Sequence, residues 1–142
     1  MEVKFRECDW FNLWIWLEFE EFISEREKQM LDEVFASWFL LGKLGGFNAV
    51  NSQVLEAGVD VSHLDYDNDA MATDMMAVMH NIGDVEYEGK WARCWVDLGT
   101  TDGIALDVLI NALYRFSEEY VPIVAVYVGG EQEEWAIDRR YD

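Results

Sequence analysis

From Trp10 to Phe19 the side chains alternate in type: Phe11, Leu13, Ile15, Leu17 and Phe19 share one parity, and Trp10, Asn12, Trp14, Trp16 and Glu18 the other. Successive side chains of a strand point to opposite faces, so this spacing predicts a strand with aromatics on its second face. The period then changes. Ser24 with Glu27 three positions on forms a capping box, and Met30, Leu31, Val34, Phe35, Trp38 and Phe39 recur behind it at helical spacing up to Gly42. Gly42-Lys43-Leu44-Gly45-Gly46 is a loop, followed by one or two weakly patterned strands around Val54-Leu55 and Val59 to Leu64.

A second helix is predicted from about Asp69 to Ile82, capped by Asn68 or Asp69, with Met71, Met75, Val78, Met79 and Ile82 on one side and Gly83 as its stop. Asp84 to Leu98 reads as extended, with a turn or bulge at Glu88-Gly89. Ala92, Cys94, Val96 and Leu98 fall on one face, and Tyr87, Trp91, Arg93 and Trp95 on the other. A third helix spans about Asp102 to Tyr120, with Thr100, Thr101 or Asp102 as cap and a stripe of Leu106, Leu109, Ile110, Leu113 and Phe116. Val121 to Val128 is a short apolar strand whose Pro122 suggests an edge position. This order is that of an α+β ferredoxin-like βαββαβ sandwich: an antiparallel sheet, two main helices on one face and one inserted helix. Right-handed crossovers set the first and third principal strands side by side at its centre. A different α+β topology is the competing reading.

The length, 142 residues, suits one domain, and no low-complexity linker divides it. Residues 1–130 are read as that domain and 131–142 as an acidic tail carrying Trp135 and Ile137. Apolar residues make up 51%, enough to fold despite a net charge of −19. That charge repels phosphate and anionic lipid, and the basic residues form no stripe, so nucleic acid and membrane insertion are excluded as expectations. Cys8 and Cys94 lack zinc or disulfide spacing, which fits a reducing, cytoplasmic setting. No signal peptide or membrane-spanning run is recognised.

No catalytic centre, cofactor motif or metal site stands out. Asp65-Tyr66-Asp67-Asn68-Asp69 opens like a calcium loop, but Ala70 replaces the turn glycine and Met76 the closing glutamate, leaving an acidic turn that caps a helix. The loop at Gly42 lacks P-loop spacing. His63 and His80 have no ligand-spaced partner, and His80 is expected to bond the terminal carbonyls of a helix. A triad drawn from Ser62 or Cys94 with His80 is nearly automatic among so many acids, and the inward parity of Cys94 favours an inert thiol. Met71, Met75, Met76 and Met79 suit either core packing, the commoner use, or an adaptable binding surface.

One feature asks for a cover or a partner. Trp14, Trp16, Trp91, Trp95 and Tyr127 fall by parity on the sheet face opposite the two long helices. Such side chains carry ~150 to 250 Å² each, so half exposure makes a patch of roughly 500 Å², at the upper range for soluble monomers. Coverage by the inserted helix or by the tail through Trp135 and Ile137 is the alternative to a docking surface.

Asp32-Glu33-Val34-Phe35 to Asn48, Leu64-Asp65-Tyr66-Asp67-Asn68, Met79-His80-Asn81 and Cys94-Trp95 through Leu113 together resemble a family of cyanobacterial and plant-plastid proteins described only as a domain of unknown function. The resemblance spans nearly the whole chain and implies a photosynthetic source, with no activity or functional residues to carry over. The expectation is therefore a non-enzymatic interaction or accessory domain that uses the Trp-rich face for a protein partner or a second copy. The alternative is a small-molecule binder or enzyme with a pocket beside the Met-rich helix and acids Asp65 to Asp69 at its rim.

Overall fold

The computed structural model describes residues 1–47 and 77–130, which form six strands and two helices. The strands are β1 (Glu2–Phe5), β2 (Leu13–Phe19), β3 (Asn81–Ile82), β4 (Glu86–Glu88), β5 (Trp91–Asp97) and β6 (Ile123–Val128). The helices are α1 (Glu25–Lys43), between β2 and β3, and α2 (Ile104–Glu119), between β5 and β6. The fold is α+β.

One sheet runs in the order β1-β6-β2-β5, with β3 and β4 both pairing along the outer side of β5. The central strand β2 is antiparallel to both β5 and β6, so the first and third principal strands are neighbours. The expectation of a purely antiparallel sheet is corrected, because β1 enters parallel to β6 and makes the sheet mixed. This strand also moves β6 inside, against its predicted edge position. Pro122 precedes the strand, where no ladder donor is required, and its carbonyl accepts from the Glu20 amide at 3.0 Å.

Alternation in β2 sorts the two faces as the spacing predicts. Leu13, Ile15, Leu17 and Phe19 lie in the core with Ala92, Cys94 and Val96 of β5 and Ile123, Val126 and Val128 of β6. Leu31, Phe35 and Trp38 of α1 and Leu109, Leu113 and Phe116 of α2 close that core from one side. Trp38 ties the helices together, its Nε1–H donating to the Ala105 carbonyl at 2.8 Å. At the start of α1 the capping box is complete: the Glu27 amide donates to Ser24 Oγ at 3.2 Å and the Ser24 amide to Glu27 Oε1 at 2.9 Å. These bonds hold the Glu27 carboxyl below its ordinary value.

Three parity assignments change at element ends. Trp10 and Phe11 lie in the turn before β2, so Phe11 is 57% exposed and stacks on His80 with ring centroids 6.1 Å apart. Tyr87, placed by sequence among the outer aromatics, faces inward instead. The turn at Gly89, φ +58°, pairs Tyr87 with Ala92 and so gives it the inward face of Ala92. Its hydroxyl then reaches α1, meeting the Lys28 carbonyl at 3.0 Å and Asp32 Oδ1 at 2.7 Å.

The predicted helix over Asp69 to Ile82 is contradicted at its C-terminal end, where residues 77–80 are irregular and Asn81–Ile82 pair with β5. Its first part, the strands predicted around Val54 and Val59, and the tail 131–142 lie outside the described residues. The apolar spacing of Met79 reflects burial of another kind. Met79 is fully buried against Gly42 of α1, and its amide donates to the Gly42 carbonyl at 3.1 Å. A Cβ on Gly42 would sit within 2.7 Å of three Met79 side-chain atoms, which explains a glycine inside a helix that would otherwise favour alanine.

Gly42→Ala should therefore destabilise by about 1 to 3 kcal/mol through overpacking, and Met79→Ala by about 2 to 4 kcal/mol through the cavity it leaves. Combined, the two changes should cost about 0.5 to 3 kcal/mol less than their sum, since the shortened side chain admits the new methyl. Urea unfolding of the four proteins measures this coupling, and strict additivity would refute the contact.

Candidate functional site

The register brings together all five predicted aromatics. Trp14 pairs with Trp95, Trp16 with Arg93 and Glu18 with Trp91 across β2 and β5, while Trp16 also pairs with Tyr127 across β2 and β6. Because these positions alternate with the core residues, they occupy the sheet face away from α1 and α2. The Trp16 and Trp91 rings meet edge to face at 6.4 Å, and Trp91 and Tyr127 lie 5.9 Å apart. The face is not uniformly wet: Trp16 is 5% and Trp91 3% exposed, while Trp14, Trp95 and Tyr127 are partly buried.

Cations scattered in the sequence collect on this layer. The Arg93 guanidinium lies 5.4 Å from the Trp14 ring and 5.3 Å from the Trp16 ring, and its Nε meets Glu86 Oε1 at 2.9 Å. Arg6 and Lys4 approach the Tyr127 ring at 4.9 and 5.6 Å. A cation over an aromatic face is worth ~0.5 to 2 kcal/mol, more as water is excluded. Sequence reading missed this set, because Lys4 precedes the first recognised strand and Arg93 meets its rings only through the β2–β5 register. The one available signal was the outward parity that Arg93 shares with Trp91 and Trp95.

Beside Trp14 and Trp95 the face opens into a groove of ≈ 760 Å³, walled also by Glu7, Cys8, Asp9, Asn12 and Gly130. Backbone bonds fix its rim: the Gly129 amide donates to the Trp14 carbonyl and the Gly130 amide to the Glu7 carbonyl, both at 2.8 Å. Trp95 is oriented by its Nε1–H, which donates to Asn12 Oδ1 at 2.7 Å, and Asp9 Oδ1 accepts from the Phe11 amide at 3.0 Å. Burial raises the Cys8 thiol above its ordinary value, so at neutral pH it adds no charge to this rim.

Other sequence candidates are dispersed. Cys94 is fully buried, with its thiol pushed up to about 12 by burial first and then by Asp84, Asp32 and Glu86, an inert group at neutral pH. The expected role of His80 at a helix end is corrected: it sits in irregular chain before β3, with Nδ1 3.4 Å from Asp97 Oδ1. A cavity of ≈ 350 Å³ between α1 and the β3–β4 connection is lined by Asp32, Phe35, Ala36, Ile82, Gly83, Asp84 and Val85. Among the described residues no three His, Cys, Asp or Glu side chains gather as metal ligands, and no helix is long and apolar enough to cross a membrane. Ser62, His63, the acidic turn Asp65 to Asp69, and Met71, Met75 and Met76 lie outside the described residues.

The model of the family described as Protein of unknown function (DUF3531) matches residues 1–142, and the chain belongs to that family. No curated protein and no solved structure matches it.

The buried thiol makes a stability prediction. Above pH 9, the ordinary thiol value, an unfolded Cys94 loses its proton while the folded one keeps it up to about 12. The unfolded state then binds fewer protons, so stability falls as pH rises through this window. Tyr87 acts in the same sense, its phenol raised by burial and then by Asp32. The urea midpoint should decline from about pH 9 to 11, less steeply in Cys94→Ala/Tyr87→Phe. Equal slopes in the two proteins would contradict the assignment.

Proposed function

We propose that this DUF3531 member is a non-enzymatic interaction domain that docks a protein partner, or a second copy of itself, on the aromatic face of its sheet. The observation that carries this reading is the division of that face into a fixed layer and an open pair. Trp16, Trp91 and Arg93 are buried, whereas the cross-strand pair Trp14 and Trp95 stays partly exposed beside the groove. Tryptophans on a rigid support, next to a concavity, are the commonest energetic anchors of protein interfaces.

The reading rests on a ferredoxin-like core. Its support is the order β6-β2-β5 with β3 and β4 outermost, all pairs antiparallel, one helix following β2 and one following β5. On this view β1 is an addition outside β6. The resemblance noted above supports a photosynthetic source, and two cysteines left as free thiols support a reducing, cytoplasmic setting.

A small-molecule site in the ≈ 350 Å³ cavity is the second reading, favoured by the approach of Asp32 and Asp84 to one space. It is the weaker of the two. Asp32 is already engaged by the Tyr87 hydroxyl, and the nearby Cys94 thiol is held protonated.

Trp14→Ala/Trp95→Ala should weaken partner binding or self-association by about tenfold or more, with unfolding curves confirming an intact fold. Phe22→Ala, which removes a ring 72% exposed elsewhere, should leave association unchanged. Light scattering across a concentration series and cross-linking with identification of the captured protein provide the measurement. Equal losses in both variants, or none in either, would reject the face.

A further inference from the structure

We infer that the groove beside Trp14 and Trp95 receives a basic segment of a partner protein, seated by an arginine or lysine side chain between the indoles and the carboxylates of Glu7 and Asp9. This rests on the reading of the aromatic face as an interaction surface and specifies the chemistry of what docks there.

The wall composition makes the argument. Two partly exposed indoles offer apolar, electron-rich surface for an alkyl stem and its cationic head. Glu7 and Asp9 are exposed on the same rim, and among the described residues no cation pairs with either. Asn12 is spent on the Trp95 indole and Asp9 Oδ1 on the Phe11 amide, which leaves the Glu7 carboxylate and the second Asp9 oxygen for an incoming donor. The same face already handles cations in this way, with Arg93 over Trp14 and Trp16 and Arg6 over Tyr127. A guanidinium or ammonium in the groove would extend that pattern outward.

Competing occupants fit less well. A purely apolar anchor would strip water from Glu7 and Asp9 without replacing it, at a cost in affinity. An acidic segment or a phosphate would meet both carboxylates and the field of a chain with net charge −19. The groove volume of ≈ 760 Å³ accommodates one long side chain together with the backbone on either side of it.

The test uses the full chain and three short peptides identical except for one repeated residue type: arginine, leucine or glutamate. Binding is followed through the indole N–H resonances of Trp14 and Trp95. The arginine peptide should bind about tenfold more tightly than the other two and shift the Trp95 signal. Glu7→Gln/Asp9→Asn, which keeps the acceptor that Phe11 needs, should lower its affinity about tenfold. Glu118→Gln/Glu119→Gln makes the same charge change at exposed positions of α2 and should alter affinity less than about twofold. Equal losses in the two charge variants, or no saturable binding of the arginine peptide, would overturn the inference. If the leucine peptide binds as tightly and Trp95→Ala abolishes it, the cationic occupant is refuted while the interaction face stands. If a bound peptide ignores Trp14→Ala/Trp95→Ala, both fall.

Discussion

Everything in this fold depends on a central strand buried on both sides. β2 carries aliphatic side chains into the helix-covered core and indoles into the opposite layer, and of its seven residues all but the half-buried Trp14 are buried. Side chains alternate with period two, so a one-residue slip of β2 would drive Trp16 under the helices and Leu17 onto the aromatic layer. The close-packed core has no room for that exchange. The register is thereby held from both faces, and with it the positions of β5 and β6.

The outer layer solves a different problem, how to bury indoles beside charge. Arginine suits position 93 because a planar guanidinium can face two rings while its Nε–H still points at a carboxylate, here Glu86. A lysine ammonium would offer a compact, strongly hydrated charge with no such plane. The result is a layer with a dry middle at Trp16, Trp91 and Arg93 and an open end at Trp14 and Trp95. Sequence alternation thus sets which rings stay accessible through packing, since the partly exposed pair lies beside the fixed middle that supports it.

Much of this was legible in the chain because local rules and tertiary context agree. The aromatic parity of Trp14 and Trp16, the box at Ser24 and Glu27, and the turn at Glu88-Gly89 all describe elements that the structure contains. The misreadings fall where the two diverge. Glu2–Phe5 is short and half charged, so only its pairing with β6 makes it a strand. Met79 sits at helical spacing, yet it joins the core from irregular chain, packed against the bare backbone of Gly42, a contact no periodicity encodes. Tyr87 changed faces because a hairpin turn resets parity, and a count carried through the turn fails. The groove was invisible for a related reason. Its walls come from the loop before β2, from β2 and β5 themselves, and from the residues after β6.

That assembly from separated segments also explains how flexible-looking residues can make a defined rim. The Arg6-to-Asn12 loop is bound along its length: the Arg6 amide donates to the Val128 carbonyl at 2.8 Å, the Gly130 amide to Glu7 at 2.8 Å, and the Leu98 amide to Trp10 at 2.9 Å. Gly129 accepts this proximity only as glycine. Its φ is +97°, and a Cβ there would meet the Glu7 carbonyl oxygen at 2.8 Å and the Cys8 sulfur at 2.9 Å. A carboxylate carried on backbone already immobilised loses less entropy when it meets a partner than one on a free loop. The hydrogen bonds that close the end of the sheet therefore also preorganise Glu7 and Asp9 beside the partly exposed indoles, so the proposed docking would draw on the same few contacts as the fold.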